Sequence, residues 1–311
     1  MNVLPITGPS LRPALPLPPG HPPPRVFSGD EATGAGTDAL AALLAGRRTL
    51  VLSGAGMSTD SGIPDYRGPE TRHRARNPIQ YNAFVAPGDE GEAARQRYWA
   101  RASRGWPRFS AAAPNGNHAA LARLEAAGAV AGVVTQNVDR LHQRAGSRRV
   151  VELHGSLYDV RCLGCDYRTA REAVQRALLA MNPGFEHELL HEIAPDGDAE
   201  IDPAVMTRFR APACPYCGGA LKPDVVFFGE SVPAATAEAA WALYDASEVV
   251  VVAGSSLAVY SGLRFVHRAA KEGKPVAIVT LGETRGDACA TLKLDAPLAA
   301  VLPALAERLG T

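Results

Sequence analysis

The sequence predicts an α/β fold in which a Rossmann-like parallel sheet carries helices on both of its faces. Short apolar runs, which are typical of buried strands, alternate with longer stretches of helical apolar spacing. A glycine-rich turn containing Gly54 and Gly56 follows directly after one of these runs. Two distant Cys-x-x-Cys pairs interrupt the alternation, and they indicate a small inserted zinc-binding and helical domain.

Five apolar runs predict the strands of the sheet. They cover Leu50–Leu52, Val130–Val134, Val150–Leu153, Glu248–Ala253 and Pro275–Val279. Helical apolar spacing predicts helices over Asp38–Leu44, Asn117–Ala126, Pro233–Ala246 and Leu263–Glu272. Residues 71–109 are rich in Arg and aromatic side chains, and they predict irregular helices with a small apolar core of their own.

The first 28 residues are dense in proline. Proline fixes the backbone and removes a hydrogen-bond donor, so residues 1–28 predict a disordered or polyproline arm. A passive tail is favoured over a ligand for a proline-recognising partner. Residues 29–311 then form the folded domain, with small-domain insertions near residues 69–110 and 157–222.

Composition limits the classes of function. The 311 residues are 46% hydrophobic, and 32 basic residues balance 32 acidic ones, which makes a nucleic-acid partner unlikely. No apolar run is long enough to span a bilayer, and the first residues lack the pattern of a secretory signal. Four of the five Cys lie in pairs, as expected in a reducing compartment. We therefore expect a cytoplasmic protein if the source is bacterial, and a mitochondrial matrix protein if it is eukaryotic.

The stretch Ser53–Gly68 organises the chain. Gly54 and Gly56 permit a tight turn and a close approach of a ligand to backbone N–H groups. Ser58–Asp60 are residue types that open helices, and a helix N-terminus after a strand and a glycine-rich turn binds phosphate oxygens. The dinucleotide fingerprint is only partial, because Thr59 stands where its third Gly would be. An ordinary glycine-rich loop is the alternative, although the Gly, Pro and charge at the end of the stretch favour a loop that folds over a ligand.

Polar segments follow the other predicted strands directly. They are Thr135–Asp139, His154–Ser156, Gly254–Ser256 and Thr280–Gly282. In open parallel sheets, ligands bind at the carboxyl ends of the strands. Asn and Asp are also common turn residues, and a lone His is often structural, so these segments alone leave an ordinary loop open as an alternative.

The two Cys pairs predict one structural zinc site. Its ligands are Cys162, Cys165, Cys214 and Cys217, with Gly in or after each pair. Four thiolates suit tetrahedral Zn²⁺ and leave no open position for catalysis. The 48 residues between the pairs indicate a helical excursion. Two disulfides or a redox pair are the less favoured alternatives.

The motifs together resemble the sirtuin family of NAD-dependent protein deacylases. They are GAGMSTDSGIPDYRG, TQNVD at Thr135–Asp139, HGS at His154–Ser156, the two Cys pairs, KPDVVFFGE at Lys222–Glu230 and GSS at Gly254–Ser256. They fall in the family's order, and the resemblance covers Asp38–Leu309.

The resemblance implies a set of site residues. The catalytic residues are His154 as the base, with Asn137 and Asp139 beside the nicotinamide and its ribose. The residues that bind NAD are Gly54, Ala55, Gly56, Ser58, Thr59, Asp65, Tyr66, Arg67, Gln136, Asn137, Val138, Asp139, Gly254, Ser255, Ser256, Thr280, Leu281 and Gly282. A substrate peptide adds as a strand along Val226–Glu230, with contacts from Val226, Phe227, Phe228 and Gly229. A plain buried strand is the alternative for this last segment.

The resemblance also implies a reaction. An acyl-lysine attacks the ribose carbon as nicotinamide leaves, His154 deprotonates a ribose hydroxyl, and free lysine and acyl-ADP-ribose result. Mono-ADP-ribosyl transfer to protein is a second enzymatic hypothesis. A non-catalytic NAD-binding zinc scaffold is the third, and the presence of His154, Asn137 and Asp139 disfavours it.

Some features depart from the common family pattern. Thr280 stands where many members carry Asn, and Tyr66 replaces a common Phe. Tyr66, together with segments such as Trp99–Arg101, makes the chain most similar to the class II branch. Tyr98 and Arg101 are spaced i, i+3 on a predicted helix, as in a pair that class III members carry, and they predict a clamp for acyl chains that end in a carboxylate. A solvated helix face is the alternative for these two residues.

Overall fold

Seven parallel strands form the main sheet of the protein. The computed structural model describes residues 22–65, 78–187 and 206–310. The sheet has the order β1-β10-β9-β8-β2-β3-β4, and every neighbouring pair is parallel. Its strands are β1 (Arg25–Ser28), β2 (Thr49–Ser53), β3 (Val130–Thr135), β4 (Val150–Glu152), β8 (Val249–Ala253), β9 (Val276–Val279) and β10 (Leu292–Asp295). The predicted parallel α/β fold is confirmed.

Helices cover both faces of this sheet. The described helices are α1 (Gly29–Glu31), α2 (Thr37–Leu44), α3 (Tyr81–Val85), α4 (Gly88–Ala111), α5 (Gly116–Ala126), α6 (Leu141–Arg144), α7 (Arg171–Met181), α8 (Ala234–Asp245), α9 (Tyr260–Glu272) and α10 (Leu298–Arg308). A π-helical segment, Ala32–Gly36, connects α1 to α2. Within the described ranges, none of the helices combines the length and apolar character needed to cross a bilayer.

Alternate residues of the central strands enter two separate cores. Val51 of β2 packs with α2, α5 and α10, whereas its neighbours Leu50 and Leu52 pack on the opposite face with α8 and α9. Side chains of a strand point alternately to the two faces, so a strand covered on both sides is apolar throughout. This is why the continuous apolar runs in the sequence predicted β2, β3, β8 and β9.

The edge strand β1 corrects one prediction. Arg25–Ser28 were assigned to the proline-rich arm, but they pair in parallel with β10. Phe27 is buried in the core that also holds Leu40 and Leu294. An edge strand needs partners on one side only, so a short segment beside proline can form it. Residues 1–21 of the predicted arm lie outside the described residues.

A second, antiparallel sheet holds the inserted elements. Its order is β6-β5-β7, with strands at Gly155–Cys162 (β5), Arg168–Ala170 (β6) and Leu221–Val225 (β7). Helices α3, α4 and α7 share one aromatic-rich core with it. Within this core the indole nitrogen of Trp99 donates to the carbonyl of Leu221 at 3.0 Å. Helix α7 is the predicted helical excursion between the Cys pairs.

Helix α4 corrects the prediction for residues 71–109. The described part of this stretch holds the short helix α3 and most of α4, whose 24 residues form one continuous helix and not an irregular one. The many Arg residues of α4 obscure the apolar periodicity of its sequence. Its buried residues are identified only by their packing on the second sheet. The first part of that stretch, residues 71–77, lies outside the described residues.

The carboxyl ends of β2, β3, β4 and β8 meet at one edge of the main sheet. Strand β2 lies between β3 and β8, so the chain leaves it in one direction through β3 and β4 and returns on its other side through β8. Such a point of reversal opens a crevice at the carboxyl edge of a parallel sheet, where ligands bind. The polar segments predicted from the sequence all follow strands at this carboxyl edge.

Candidate active site

The glycine-rich loop after β2 packs tightly on the turn after β8. The amide of Gly56 donates to the carbonyl of Gly254 at 2.9 Å. A Cβ added to Gly54 would lie 2.7 Å from the Cβ of Ser255, and one added to Gly56 would lie 2.9 Å from the Cα of Gly254. Both glycines are therefore required by the contact between two loops, a reason that the sequence analysis did not anticipate.

The segment after these glycines is not an α-helix. It forms two 3₁₀ turns, Ala55–Met57 and Thr59–Ser61, and the predicted helix N-terminus at Ser58–Asp60 is wrong. Gly62 follows in the left-handed region with φ at +80°, which ends the second turn. Asp65 is partly buried. Tyr66 and Arg67 lie outside the described residues.

A hydrogen-bond network joins the loop after β2 to the loop after β3. The hydroxyl of Ser58 donates to Oδ2 of Asp139 at 2.6 Å. The side-chain amide of Asn137 donates to the carbonyl of Gly54 at 3.0 Å and to the hydroxyl of Ser58 at 3.1 Å. Burial raises the pKa of Asp139, while the bond from Ser58 opposes this shift. The structure thus brings together three of the predicted site residues, Ser58, Asn137 and Asp139.

His154 lies at the end of β4 on the same edge. Its Nδ1 is 2.9 Å from the carbonyl oxygen of Gln136, and its Nε2 is 2.8 Å from the hydroxyl of Ser261. A carbonyl oxygen can only accept, so Nδ1 carries the proton and Nε2 presents a lone pair. Burial lowers the pKa of His154, whereas the bond to Gln136 opposes that shift. The imidazole is therefore neutral at pH 7 and can act as a base through Nε2.

The side chain of Gln136 links the loops that surround His154. Its side-chain amide donates to the hydroxyl of Ser255 at 2.8 Å and to the carbonyl of Ser53 at 3.3 Å. Its neighbour Val138 accepts the amide of Leu157 through its carbonyl at 3.1 Å. The ends of β2, β3, β5 and β8 are thereby tied to one another around His154.

The other predicted cofactor residues lie farther along the same edge. Ser256 accepts the amide of Arg285 through its carbonyl at 3.1 Å. Thr280, Leu281 and Gly282 follow β9, and the amide of Gly282 donates to Asp295 at 2.8 Å. Leu281 is half exposed. The structure places these residues on the carboxyl edge without a direct contact to His154.

A buried layer of polar residues under the site was missed by the sequence analysis. Nε2 of His142 and the hydroxyl of Ser53 form a hydrogen bond of 2.8 Å, and the ring of His142 lies edge-on to the ring of His118. Burial lowers the pKa of His118 to about 4, and burial together with the nearby His118 lowers that of His142 to about 3. Asn115 holds the loop above, since its side-chain amide donates to the carbonyl of Met57 at 2.9 Å. The first turn of α5, where Asn115 is the N-cap, was the available signal.

Arg140 was also missed. It has a left-handed backbone with φ at +57°, which is uncommon for a residue with a side chain. Its guanidinium pairs with Asp159, lies 3.7 Å from Glu152 and stacks over the ring of Tyr158. The residue after Asp139 is in this way held to β4 and β5. Only the strained position distinguishes it, and sequence alone does not show that.

The segment predicted to pair with a peptide is a loop, not a strand. Strand β7 ends at Val225, and the amide of Val226 then donates to the carbonyl of His154 at 2.8 Å. Phe227 is buried, but Phe228 is 39% exposed, so the buried-strand alternative is wrong. The carbonyl of Phe228 accepts the amide of Tyr81 at 2.8 Å. After leaving β7, the loop is therefore hydrogen-bonded first to His154 and then to the start of α3.

An ion pair beneath this loop fixes its shape. Lys222 is 0% exposed and its Nζ lies 2.9 Å from Oε2 of Glu230, which is 12% exposed. The same carboxylate accepts the amide of Phe227 at 2.9 Å and pairs with Arg161 at 2.9 Å. Burial lowers the pKa of Lys222, and Glu230 opposes this shift. Gly229, which has φ at +83°, allows the chain to turn back so that Glu230 reaches Lys222.

Tyr98 does not lie on a solvated helix face. It is 5% exposed and packs against Phe84, Trp99 and Phe227 with ring centroids 5.2–5.6 Å apart. Arg101, one turn later on α4, is partly buried. The solvated-face alternative is therefore wrong for Tyr98.

The four paired cysteines form one cluster. Their sulfur atoms all lie within 4.8 Å of one another. Zinc–sulfur bonds of about 2.3 Å in a tetrahedron place sulfur atoms about 3.8 Å apart, so the cluster fits Zn²⁺. The amides of Gly164 and Gly219 donate to Sγ of Cys162 and of Cys217, as expected for thiolates. None of the five cysteines, all of which lie within the described residues, forms a disulfide, which corrects the disulfide alternative.

Comparisons with known proteins agree with this geometry. The model of the Sir2 family matches residues 54–261. The "NAD-dependent protein deacetylase" of Xanthomonas campestris pv. campestris (strain 8004) is 51% identical over 257 residues, which cover 82% of this chain and 86% of the relative. The "NAD-dependent protein deacetylase 1" of Mycobacterium avium (strain 104) is 52% identical over 274 residues, which cover 87% and 94%.

Solved structures match most of the chain. A complex described as "Sir2-p53 peptide-NAD+" has a TM-score of 0.67 and 32% identity, and the match covers 85% of this chain and 94% of that one. "Sir2 bound to acetylated peptide" has a TM-score of 0.65 and 30% identity, with the same coverage.

The fold and the site define an α/β protein with a polar crevice at the carboxyl edge of its sheet, a neutral histidine beside that crevice and a cluster of four cysteines that fits zinc. The chain belongs to the Sir2 family, because the family model and relatives about half identical each cover most of it.

Proposed function

We propose that the protein is an NAD-dependent protein lysine deacetylase, which moves the acyl group of an acyl-lysine to ADP-ribose and releases nicotinamide. The observation that carries this proposal is the neutral imidazole of His154, whose lone pair at Nε2 faces the carboxyl edge of the sheet. Relatives that cover most of the chain are named deacetylases, and similar structures hold NAD and acetylated peptide.

NAD would supply the reactive ribose carbon and the nicotinamide leaving group. The crevice suits such a ligand because partly exposed polar groups of Gln136, Asn137 and His154 face it. We assign the diphosphate and its ribose to the loop over Gly54–Thr59 and to Asp65–Arg67, and the adenosine end to Gly254–Ser256 and Thr280–Gly282. Asn137 and Asp139 would fix the nicotinamide side, since their hydrogen bonds with Ser58 hold both side chains in place.

His154 takes the proton in the reaction. Its Nδ1–H bond to Gln136 holds the ring so that Nε2 is the atom that gains a proton when a ribose hydroxyl is deprotonated. The resulting imidazolium is stabilised by the carbonyl of Gln136, which is an acceptor for the positive ring. His154 therefore needs no carboxylate partner.

The loop Val226–Gly229 is the proposed docking edge for the acyl-lysine peptide. Its first amide is bonded to the carbonyl of His154, so a lysine that lies along the loop enters beside the base. Glu230 and Lys222 hold the loop rigid from below. Main-chain pairing gives affinity for many sequences, which suits a protein that acts on several targets.

Further assignments depend on the same function. Cys162, Cys165, Cys214 and Cys217 would hold one structural zinc ion in the inserted domain, whose parts we place near residues 69–110 and 157–222 of the domain 29–311. Tyr98 and Arg101 would line the acyl pocket. A cytoplasmic location is proposed from the cysteines, none of which forms a disulfide, and from the bacterial relatives.

Product analysis tests the proposal. The purified protein is incubated with NAD and an acetyl-lysine peptide, and the products are identified by mass spectrometry. Deacetylated peptide, nicotinamide and acetyl-ADP-ribose in equal amounts are the expected result. A peptide that gains the mass of ADP-ribose would indicate mono-ADP-ribosyl transfer instead, and no consumption of NAD would contradict both.

A further inference from the structure

The base His154 has a second hydroxyl partner that the mechanism above does not use. Ser261 is the second residue of helix α9, and its Oγ lies 2.8 Å from Nε2 of His154. Both side chains are partly exposed at the carboxyl edge of the sheet. Helix α9 comes this close to the loop after β3 because the next residue is Gly262, where an added Cβ would lie 2.7 Å from Oε1 of Gln136.

The direction of this hydrogen bond follows from the other side of the ring. Gln136 accepts the proton of Nδ1, so the neutral ring has no proton at Nε2. Ser261 must therefore donate its O–H to Nε2. The lone pair that would take a proton from the substrate is occupied by the serine hydroxyl, while the serine oxygen keeps two lone pairs that can accept.

We infer that Ser261 is a further catalytic residue, which relays the proton between the substrate hydroxyl and His154. The substrate O–H bond breaks as a new O–H bond forms at Oγ of Ser261. The original proton of Ser261 moves to Nε2, and the substrate oxygen keeps the electron pair with which it attacks. Serine regains its starting state when His154 returns the proton, so no other reactant is needed.

The geometry favours a relay over a purely positioning role. The ring of His154 is already oriented by the carbonyl of Gln136, which in turn is fixed by the bonds of its own side chain to Ser255 and Ser53. A second bond is not needed to hold the ring. It does place a group that can both donate and accept on the one nitrogen that does chemistry.

The inference rests on the proposed function, and the test compares Ser261→Ala with Ser261→Thr. Single-turnover formation of deacetylated peptide should fall about 100-fold in Ser261→Ala, the lower end of the range for acid–base groups. Ser261→Thr, which keeps the hydroxyl, should restore most of the rate. Exchange of labelled nicotinamide into NAD precedes the proton transfer and should be unchanged. Ser110→Ala, on α4, is the matched control.

Nitrogen-15 NMR of labelled histidine in the free protein gives a readout independent of turnover. In Ser261→Ala the Nε2 resonance of His154 should move to higher frequency, because it loses its donor, and the Nδ1 resonance should stay in place. A wild-type rate in Ser261→Ala, a moved Nδ1 resonance, an equal loss of exchange, or no rescue by threonine would each overturn the relay. Absence of both product and exchange in the wild-type protein would instead refute the proposed function.

Discussion

The ion pair between Lys222 and Glu230 gives a quantitative prediction. The change Glu230→Gln removes the negative charge and leaves the ammonium group of Lys222 buried at 0% exposure. Breaking one side of a buried pair costs about 3–5 kcal/mol, because the remaining charge has lost its counterion. Lys222 keeps only the carbonyls of Pro223 and Val225 as acceptors. We expect Glu230→Gln to lower the free energy of unfolding by about 3 kcal/mol, the lower end of that range.

The reverse change should cost less. In Lys222→Met the carboxylate of Glu230 still has Arg161 at 2.9 Å and the amide of Phe227 at 2.9 Å. The buried ammonium group is removed in this variant, and the carboxylate that stays is 12% exposed and keeps these two partners, so no buried charge is left uncompensated. The double variant contains neither of the two charges. We therefore expect it to be more stable than Glu230→Gln alone, with a coupling energy of about 2 kcal/mol.

Urea unfolding with linear extrapolation measures these energies for all four proteins. Glu238→Gln, an exposed position on α8, is the control for the same chemical change. The KM for the acetylated peptide should also rise in Glu230→Gln, since the docking loop loses its support. A loss of less than about 0.5 kcal/mol in Glu230→Gln, the size of an ordinary surface change, or additive effects in the double variant would refute the reasoning.

Four other predictions follow from the structure. Cys214→Ser should abolish soluble protein, and elemental analysis of wild-type protein should give about one zinc per chain, whereas active protein without metal would contradict the site. His118 and His142 gain a proton near pH 6.5 in the unfolded chain, but only near pH 4 and pH 3 in the folded protein. As the pH falls from 6.5 to 4, the free energy of unfolding should therefore fall by about 1.4 kcal/mol per pH unit for each histidine. Urea unfolding of His118→Gln should show a smaller dependence of this free energy on pH. Arg140→Gly should be more stable to urea than Arg140→Ala by about 1–2 kcal/mol, because only glycine relieves the left-handed backbone, and equal stability would remove the strain argument. Arg101→Met should reduce activity on glutaryl-lysine more than on acetyl-lysine, by about the 1.5–3 kcal/mol of a charged hydrogen bond, and an equal loss on both would contradict a carboxylate clamp.

The sequence predicted the strands and helices in which burial imposes a regular pattern of apolar residues. Strands such as β2 and β8 are apolar throughout because both faces are covered, and the helices that cover them repeat every three or four residues. Strand β1 escaped because four residues at a sheet edge bury only Phe27. Helix α4 escaped because its Arg-rich surface obscures the buried side, which exists only against the second sheet.

The site was predicted unevenly, for physical reasons. The members of each Cys pair, and of each polar segment at a strand end, are neighbours in sequence, so the sequence pattern indicates their chemistry. Ser261 contacts His154, and Arg140 contacts Glu152 and Asp159, and only the assembled sheets bring these partners near. A serine at the start of a helix is otherwise an ordinary residue there. Assignment to the class II branch stays a prediction.

The central claim is that His154 is the base of an NAD-dependent deacetylation. The measurement that tests it most directly compares wild-type protein with His154→Ala in two assays, exchange of labelled nicotinamide into NAD and single-turnover release of deacetylated peptide. The account predicts that His154→Ala retains exchange, because nicotinamide leaves before any proton is removed, and loses peptide release by about 10²–10⁴-fold. Release at the wild-type rate in His154→Ala would contradict it.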